Sequence, residues 1–149
     1  MSDEIRSDTT GHTITWPRAY DVLVKLLTLG QESTLRDATL QLAEIQTGDT
    51  VLDVGCGTGE LTIRAKTRVG HQGSVLGIDA APEMIEVARR KAIAGGVGID
   101  FRSGVIEALT FPDNTFDVVL SSLMFHHLPD DLKRRGFAEI YRVLKSGGR

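Results

Sequence analysis

The sequence predicts an α/β domain built on a mostly parallel, doubly wound sheet. Three observations carry that expectation. Short apolar runs alternate with amphipathic stretches of helical length. The first such run opens into glycines at positions 55, 57 and 59, and the second closes on Asp79, 20 residues after Gly59. Strands and helices alternating at these lengths favour right-handed βαβ units.

Taken in order, residues 1–15 are rich in Ser, Thr and Asp and are expected to form a disordered tail. Residues 16–48 are expected to form an N-terminal cap of two helices. The first, 20–29, carries Leu23, Leu26, Leu27 and Leu29 and stops at Gly30. The second, 33–45, carries Leu35, Ala38, Leu42 and Ile45 at helical spacing. The core is then expected over 49–149. Strands are read at 50–54, 74–79, 99–103 and 116–121, and helices at 60–69, 82–94 and 130–144. Pro82 suits a first helical position, and Gly95 and Gly96 close that helix. In the last helix Phe137, Ile140, Tyr141 and Leu144 are expected to share the apolar face.

Composition narrows the function classes. A chain of 149 residues with 41% hydrophobic and 25% charged residues is an ordinary globular domain. A formal net charge of -3 and 5% aromatics offer neither a basic face nor stacking platforms, so no nucleic-acid partner is expected. One cysteine, Cys56, excludes an internal disulfide. With no apolar signal core and no run long enough to span a bilayer, a cytoplasmic protein without a transmembrane segment is expected. Four histidines and one cysteine show no zinc-ligand spacing, so no metal is expected.

The chemistry is concentrated in Val51-Leu-Asp-Val-Gly-Cys-Gly-Thr-Gly59. Glycines between a strand and a helix let the backbone turn sharply and approach a ligand closely. Asp79 stands where a carboxylate meets ribose hydroxyls in nucleotide-binding βαβ units. A dinucleotide fingerprint wants Gly or Ala at the sixth position of the turn, and this chain has Glu60. Asp53 and Glu60 put carboxylates where a pyrophosphate would have to sit. That charge suits a cationic ligand.

VLDVGCGTG, GIDAAPEMI, LTFPDNTFDVVLSS and RVLKSGG, in this order and spacing, resemble the class I S-adenosylmethionine (SAM)-dependent methyltransferases. The likeness runs from about Tyr20 to Arg149. The 20–30 segment further resembles the helix before the core in ubiquinone/menaquinone-biosynthesis C-methyltransferases. The resemblance implies a Rossmann-like sheet of seven strands in the order 3-2-1-4-5-7-6, SAM as cofactor and a small-molecule methyl acceptor. It assigns Asp53, Gly55, Cys56, Gly57, Thr58 and Gly59 to the methionine part of SAM, and Asp79 to the ribose. Ala80, Met84, Val105 and Ile106 would border the adenine, and Ser121 and Ser122 would end the fourth strand near the sulfonium. Two positions depart from the pattern: Val105 replaces an acidic or amide side chain, and Ala81 replaces a helix-capping Ser or Thr.

Methyl transfer from SAM is an in-line displacement that depends mainly on alignment and exclusion of water. A general base is required only when the acceptor must lose a proton. His126 and His127 follow the fourth strand, about where acceptor and methyl group should meet, and are the candidate catalytic residues. The bland alternative is that they cap or pack the entry to the last helix. Cys56 is read as a small packing residue, Asp117 as ordering its loop, and Glu139–Arg142 as a pair across one helical turn. If the leucine-rich helix at 20–29 covers the cleft, it favours an apolar, quinone- or lipid-like acceptor.

Only four strands are legible, so a sheet truncated before its fifth strand is expected. The fourth would then be an open apolar edge inviting self-association. Two rival functions remain. A non-catalytic module binding SAM or S-adenosylhomocysteine, or a half-protein needing a partner chain, would bind without turnover. An NAD-dependent oxidoreductase would bind NAD.

Overall fold

The computed structural model describes residues 32–122 and 128–149. The expected tail at 1–15, the helix at 20–29, and His126 and His127 lie outside the described residues. Four strands, β1 (Thr50–Val54), β2 (Ser74–Asp79), β3 (Asp100–Ser103) and β4 (Val118–Leu120), pair in parallel in the order β3-β2-β1-β4. The helices are α1 (Glu32–Leu42), α2 (Glu60–Val69), α3 (Pro82–Ala94) and α4 (Asp130–Val143), with a 3-10 turn at Ile106–Ala108. Bounds of α2, β2 and α3 coincide with those read from periodicity and from the flanking Gly and Pro.

Strand alternation divides the core into two layers. Val51, Val75, Val118 and Leu120 pack with Leu40 of α1 and with Leu61, Ala65 and Val69 of α2. Those three α2 residues recur every fourth position, which makes one stripe on a helix. Leu52, Val54 and Ile78 face the opposite way, against Ile106, Leu109, Phe116 and Val143. A third cluster, Cys56, Ile85, Ala88, Ala92 and Phe101, seats α3 on β2 and β3. Helices on both faces of a parallel sheet constitute the expected doubly wound arrangement.

Two helices have the expected period but a different phase. In α1 the buried residue is Leu40, whereas Leu35 and Leu42 are exposed. In α4, Leu132, Gly136 and Val143 are buried, and Phe137 and Tyr141 are exposed. In α4 the reason is steric. Ile106 lies so close to α4 that a Cβ on Gly136 would come within 3.0 Å of its Cδ1, so the smallest residue, not the largest, faces the core.

β4 is the outer strand of the sheet, as expected, but its outer edge is partly covered. Phe116 bridges to Leu144, the Arg149 N–H donates to the Asp117 carbonyl at 3.1 Å, and the Val119 N–H donates to the Arg149 carbonyl at 2.9 Å. The segment after α4 thus runs beside residues 116–119, the approach to β4 and its first two residues. β4 begins two residues later than read because the Asp117 carboxylate replaces a ladder bond, accepting the Thr50 N–H at 2.8 Å and Lys145 Nζ at 2.9 Å. These donors hold the Asp117 carboxyl below the usual carboxylate range, led by Lys145. The expectation that Asp117 orders its loop holds in this geometry.

The Glu139–Arg142 pair does more than join two turns of α4. Arg142 donates to the carbonyls of Leu109 at 2.8 Å and Phe111 at 2.7 Å, while Glu139 accepts the Leu109 N–H at 2.8 Å. Together they fix the chain between the 3-10 turn and β4. Among the described residues no helix is long and apolar enough to cross a membrane.

Candidate cofactor site

The site lies at the carboxyl ends of β1 and β2, where parallel α/β sheets place their ligands. Gly55, Gly57 and Gly59 all have left-handed backbone, with φ of 73°, 54° and 82°. Their roles differ. A Cβ on Gly59 would stand 2.9 Å from both Ala88 Cβ and Phe101 Cζ, so this glycine permits close packing of α2 against α3 and β3. A Cβ on Gly57 would meet nothing within 4 Å. The turn is open there.

The turn is tied to β2 at three points. The N–H groups of Gly55 and Cys56 both donate to the Ile78 carbonyl, at 2.8 and 2.9 Å. The Gly57 N–H donates to Asp79 Oδ2 at 2.9 Å, and Asp79 Oδ1 accepts the Ala81 N–H at 2.9 Å. Asp79 is therefore both a wall of the site and the organiser of its turn. Each of its oxygens keeps a lone pair for a further donor. Burial raises its pKa, opposed by the two N–H bonds.

Asp53 is buried beneath the turn and accepts Thr62 Oγ1 at 2.7 Å. Burial pushes its carboxyl up to about 7; the Thr62 bond opposes the shift and the Asp79 charge adds to it. The folded state therefore keeps a proton on Asp53 up to about pH 7 that the unfolded chain releases near its ordinary value of 3.8. Stability contributed by this group falls as pH rises across that interval and is flat above it. Asp79 acts in the same direction. Asp117 and Glu139, whose pKa values are lowered, lose their contribution only at more acidic pH. Asp53→Asn should accordingly flatten the fall in stability between pH 5 and 8, an effect of at most a few kcal/mol. Urea midpoints at the two pH values check this, and parallel slopes for wild type and variant would refute it.

Several sequence expectations are altered by these surroundings. Glu60 does not offer a free carboxylate to the ligand side, because its Oε1 accepts Lys91 Nζ at 2.8 Å. Thr58 is buried, and its hydroxyl accepts the same Lys91 Nζ at 3.0 Å rather than facing the open turn. The Cys56 side chain belongs to the third apolar cluster, its thiol pKa is driven up mainly by burial, and its N–H is already bonded. A packing role for Cys56 fits that placement better than contact with a ligand. Ile106 turns its side chain into the core beside Gly136, leaving half-buried Val105 nearer the surface. Met84 is buried and Ala80 half-buried just beyond Asp79. Ser121 and Ser122 follow β4, and Ser121 Oγ is buried without a hydrogen-bond partner among the described residues. Lys91, absent from the sequence-based site, is brought to the turn by α3 alone; no local motif marks it.

These features fit SAM. The open face at Gly57 leaves room for a chain to pass close to the backbone. Asp79 has acceptor capacity for hydroxyls. Among the described residues no group of three or more His, Cys, Asp or Glu is placed to hold a metal ion.

Comparison with known proteins agrees with the geometry. A family model described as a methyltransferase domain matches residues 51–148. A demethylmenaquinone methyltransferase of Shouchella clausii is 37% identical over 133 residues, covering 89% of this chain and 56% of that protein. A ubiquinone/menaquinone biosynthesis C-methyltransferase of Stenotrophomonas maltophilia is 37% identical over 133 residues, covering 88% of this chain and 52% of that protein. The chain thus spans about half the length of the curated relatives it matches. A SAM dependent methyltransferase of Aquifex aeolicus superposes with a TM-score of 0.69 at 29% identity, over 82% of this chain and 66% of that one. With the domain model matching well over half of its residues, and with the superposition on a SAM dependent methyltransferase, the chain belongs to the class I SAM-dependent methyltransferase-domain family.

Proposed function

We propose that this chain binds SAM and forms the cofactor-holding part of an enzyme that transfers its methyl group to a small, apolar, quinone-like acceptor. The observation that carries the reading is the open left-handed turn at Gly57, set between buried Asp53 and the Asp79 carboxylate. Gly55, Gly57 and the backbone around them would border the methionine part of SAM. Asp79 would accept from the ribose hydroxyls, Ala80, Met84 and Val105 would lie along the adenine, and Ser121 and Ser122 would stand near the sulfonium.

When bound, SAM supplies an electrophilic methyl group on a positively charged sulfur. The chain's part is to orient it and keep water away, which for an in-line displacement supplies much of the rate. Asp79 favours a cationic ligand over a pyrophosphate. Glu60 is paired with Lys91, and the Asp53 carboxyl is buried and pushed up to about 7, so that preference falls mainly on Asp79. His126 or His127 would take a proton only if the acceptor has one to lose. The quinone-like acceptor is supported by the names of the relatives and by the leucine-rich segment at 20–29. A cytoplasmic setting is supported by the single cysteine.

Calorimetric titration of the 149-residue chain with S-adenosylhomocysteine, with NAD in parallel, tests the cofactor. Binding of the first and none of the second is expected; the reverse would overturn the reading. For the acceptor, transfer of labelled methyl to a demethylated quinone by the full-length enzyme is expected. Transfer to polar metabolites alone would sink the apolar acceptor. Binding without any transfer in the full-length form as well would favour a non-catalytic module.

A further inference from the structure

We propose that Lys91 is a positioning residue for the cofactor site, holding the exit of the glycine turn in the shape that the methionine part of SAM requires; this rests on the SAM reading above. Lys91 Nζ donates to Thr58 Oγ1 at 3.0 Å and to Glu60 Oε1 at 2.8 Å. Those two residues flank Gly59, whose own face is filled by Ala88 and Phe101. Ala88 and Lys91 lie one turn apart on α3, so a single helix face grips residues 58–60 at both the backbone and the side chains.

The entrance of the turn is secured differently, by the Ile78 carbonyl and Asp79. Between the two anchorages the glycines have the widest backbone freedom of any residue. A turn released at one end has more conformations to lose when a ligand orders it, and that loss is subtracted from affinity. The Lys91–Glu60 pair is part-exposed, at 29% and 41% of the side-chain surface, so its net contribution to folding is small. The grip therefore matters more to ligand binding than to stability. Charge follows the same logic: by pairing with Glu60, Lys91 leaves Asp79 as the carboxylate facing the open turn.

The test is calorimetry on the full 149-residue chain with S-adenosylhomocysteine and with adenosine, alongside thermal melting. Lys91→Met should weaken S-adenosylhomocysteine about tenfold and adenosine by less than about twofold, because adenosine lacks the methionine part. The melting temperature should move by less than about 3 °C. Lys91→Arg keeps the charge and the donors and should restore affinity to within about threefold. Glu60→Gln, which weakens the same pair from its more exposed partner, should weaken S-adenosylhomocysteine in the same direction even if Lys91→Met fails to fold. Unchanged affinity in Lys91→Met or, if that variant does not fold, in Glu60→Gln would overturn the inference. So would equal weakening of both ligands together with a large fall in melting temperature, which marks a merely structural role. A wild-type chain that binds no S-adenosylhomocysteine would overturn the SAM reading itself. A wild type that binds, with an indifferent Lys91 variant, removes only this inference.

Discussion

Gly59→Ala should cost about 3 kcal/mol or more of folding free energy, and Gly57→Ala only about 1 kcal/mol, although the two glycines are two residues apart in one motif. At both positions alanine must adopt the left-handed backbone, at φ of 82° and 54°, which accounts for the smaller figure. At Gly59 the new methyl group also meets Ala88 Cβ and Phe101 Cζ at 2.9 Å, with neither neighbour free to retreat from the buried α3–β3 contact. At Gly57 it meets nothing within 4 Å. The order should invert for the ligand: folded Gly57→Ala should bind S-adenosylhomocysteine at least about tenfold more weakly, since the methyl group occupies the open face of the turn. Urea denaturation and calorimetry on the two variants separate the effects. Equal stability losses would show that the contrast between a packed and an open glycine is wrong.

Asp79→Ala should reduce affinity for S-adenosylhomocysteine by about a hundredfold or more, with Asp79→Asn intermediate. The carboxylate accepts the Gly57 and Ala81 N–H groups, each at 2.9 Å, so it joins the turn after β1 to the turn after β2. Removing it leaves two donors in search of partners, at about 1–3 kcal/mol each where water cannot replace the bond. It also removes the acceptor proposed for the ribose hydroxyls. Asparagine retains one acceptor oxygen and replaces the other with an N–H donor, hence the intermediate loss. Because burial raises the Asp79 pKa, wild-type affinity should weaken as pH falls through that raised value and the acceptor is protonated. A titration series by calorimetry provides the check. Affinity of Asp79→Ala within about threefold of wild type would remove Asp79 from the site.

Much of the architecture was legible locally. The bounds of α2 and α3 follow from Leu61, Ala65 and Val69 at every fourth position, from Pro82, and from the Gly95–Gly96 pair. β1 and β2 follow from short apolar runs ended by glycine and by Asp79. Two phases were not legible. Leu35 and Leu42 in α1, and Phe137 and Tyr141 in α4, have the spacing of a buried face and are exposed. Hydrophobic period specifies that a stripe exists, but which stripe turns inward depends on the shape of the neighbouring surface, here Ile106 against Gly136.

For the site, the sequence alone determined the strand–turn–helix context, the three glycines and the two carboxylates at the ends of β1 and β2. These are consecutive or regularly spaced, and their constraint is backbone geometry. Which carboxylate remains available was decided only by tertiary structure. Glu60 and Asp53 look alike along the chain, yet Lys91, 31 residues beyond Glu60, pairs with the first, and burial, opposed by the Thr62 hydrogen bond, raises the pKa of the second. The same holds for the unlike duties of Gly57 and Gly59. Charge pairing and steric room depend on distances between elements that the sheet brings together, and no local spacing records those distances.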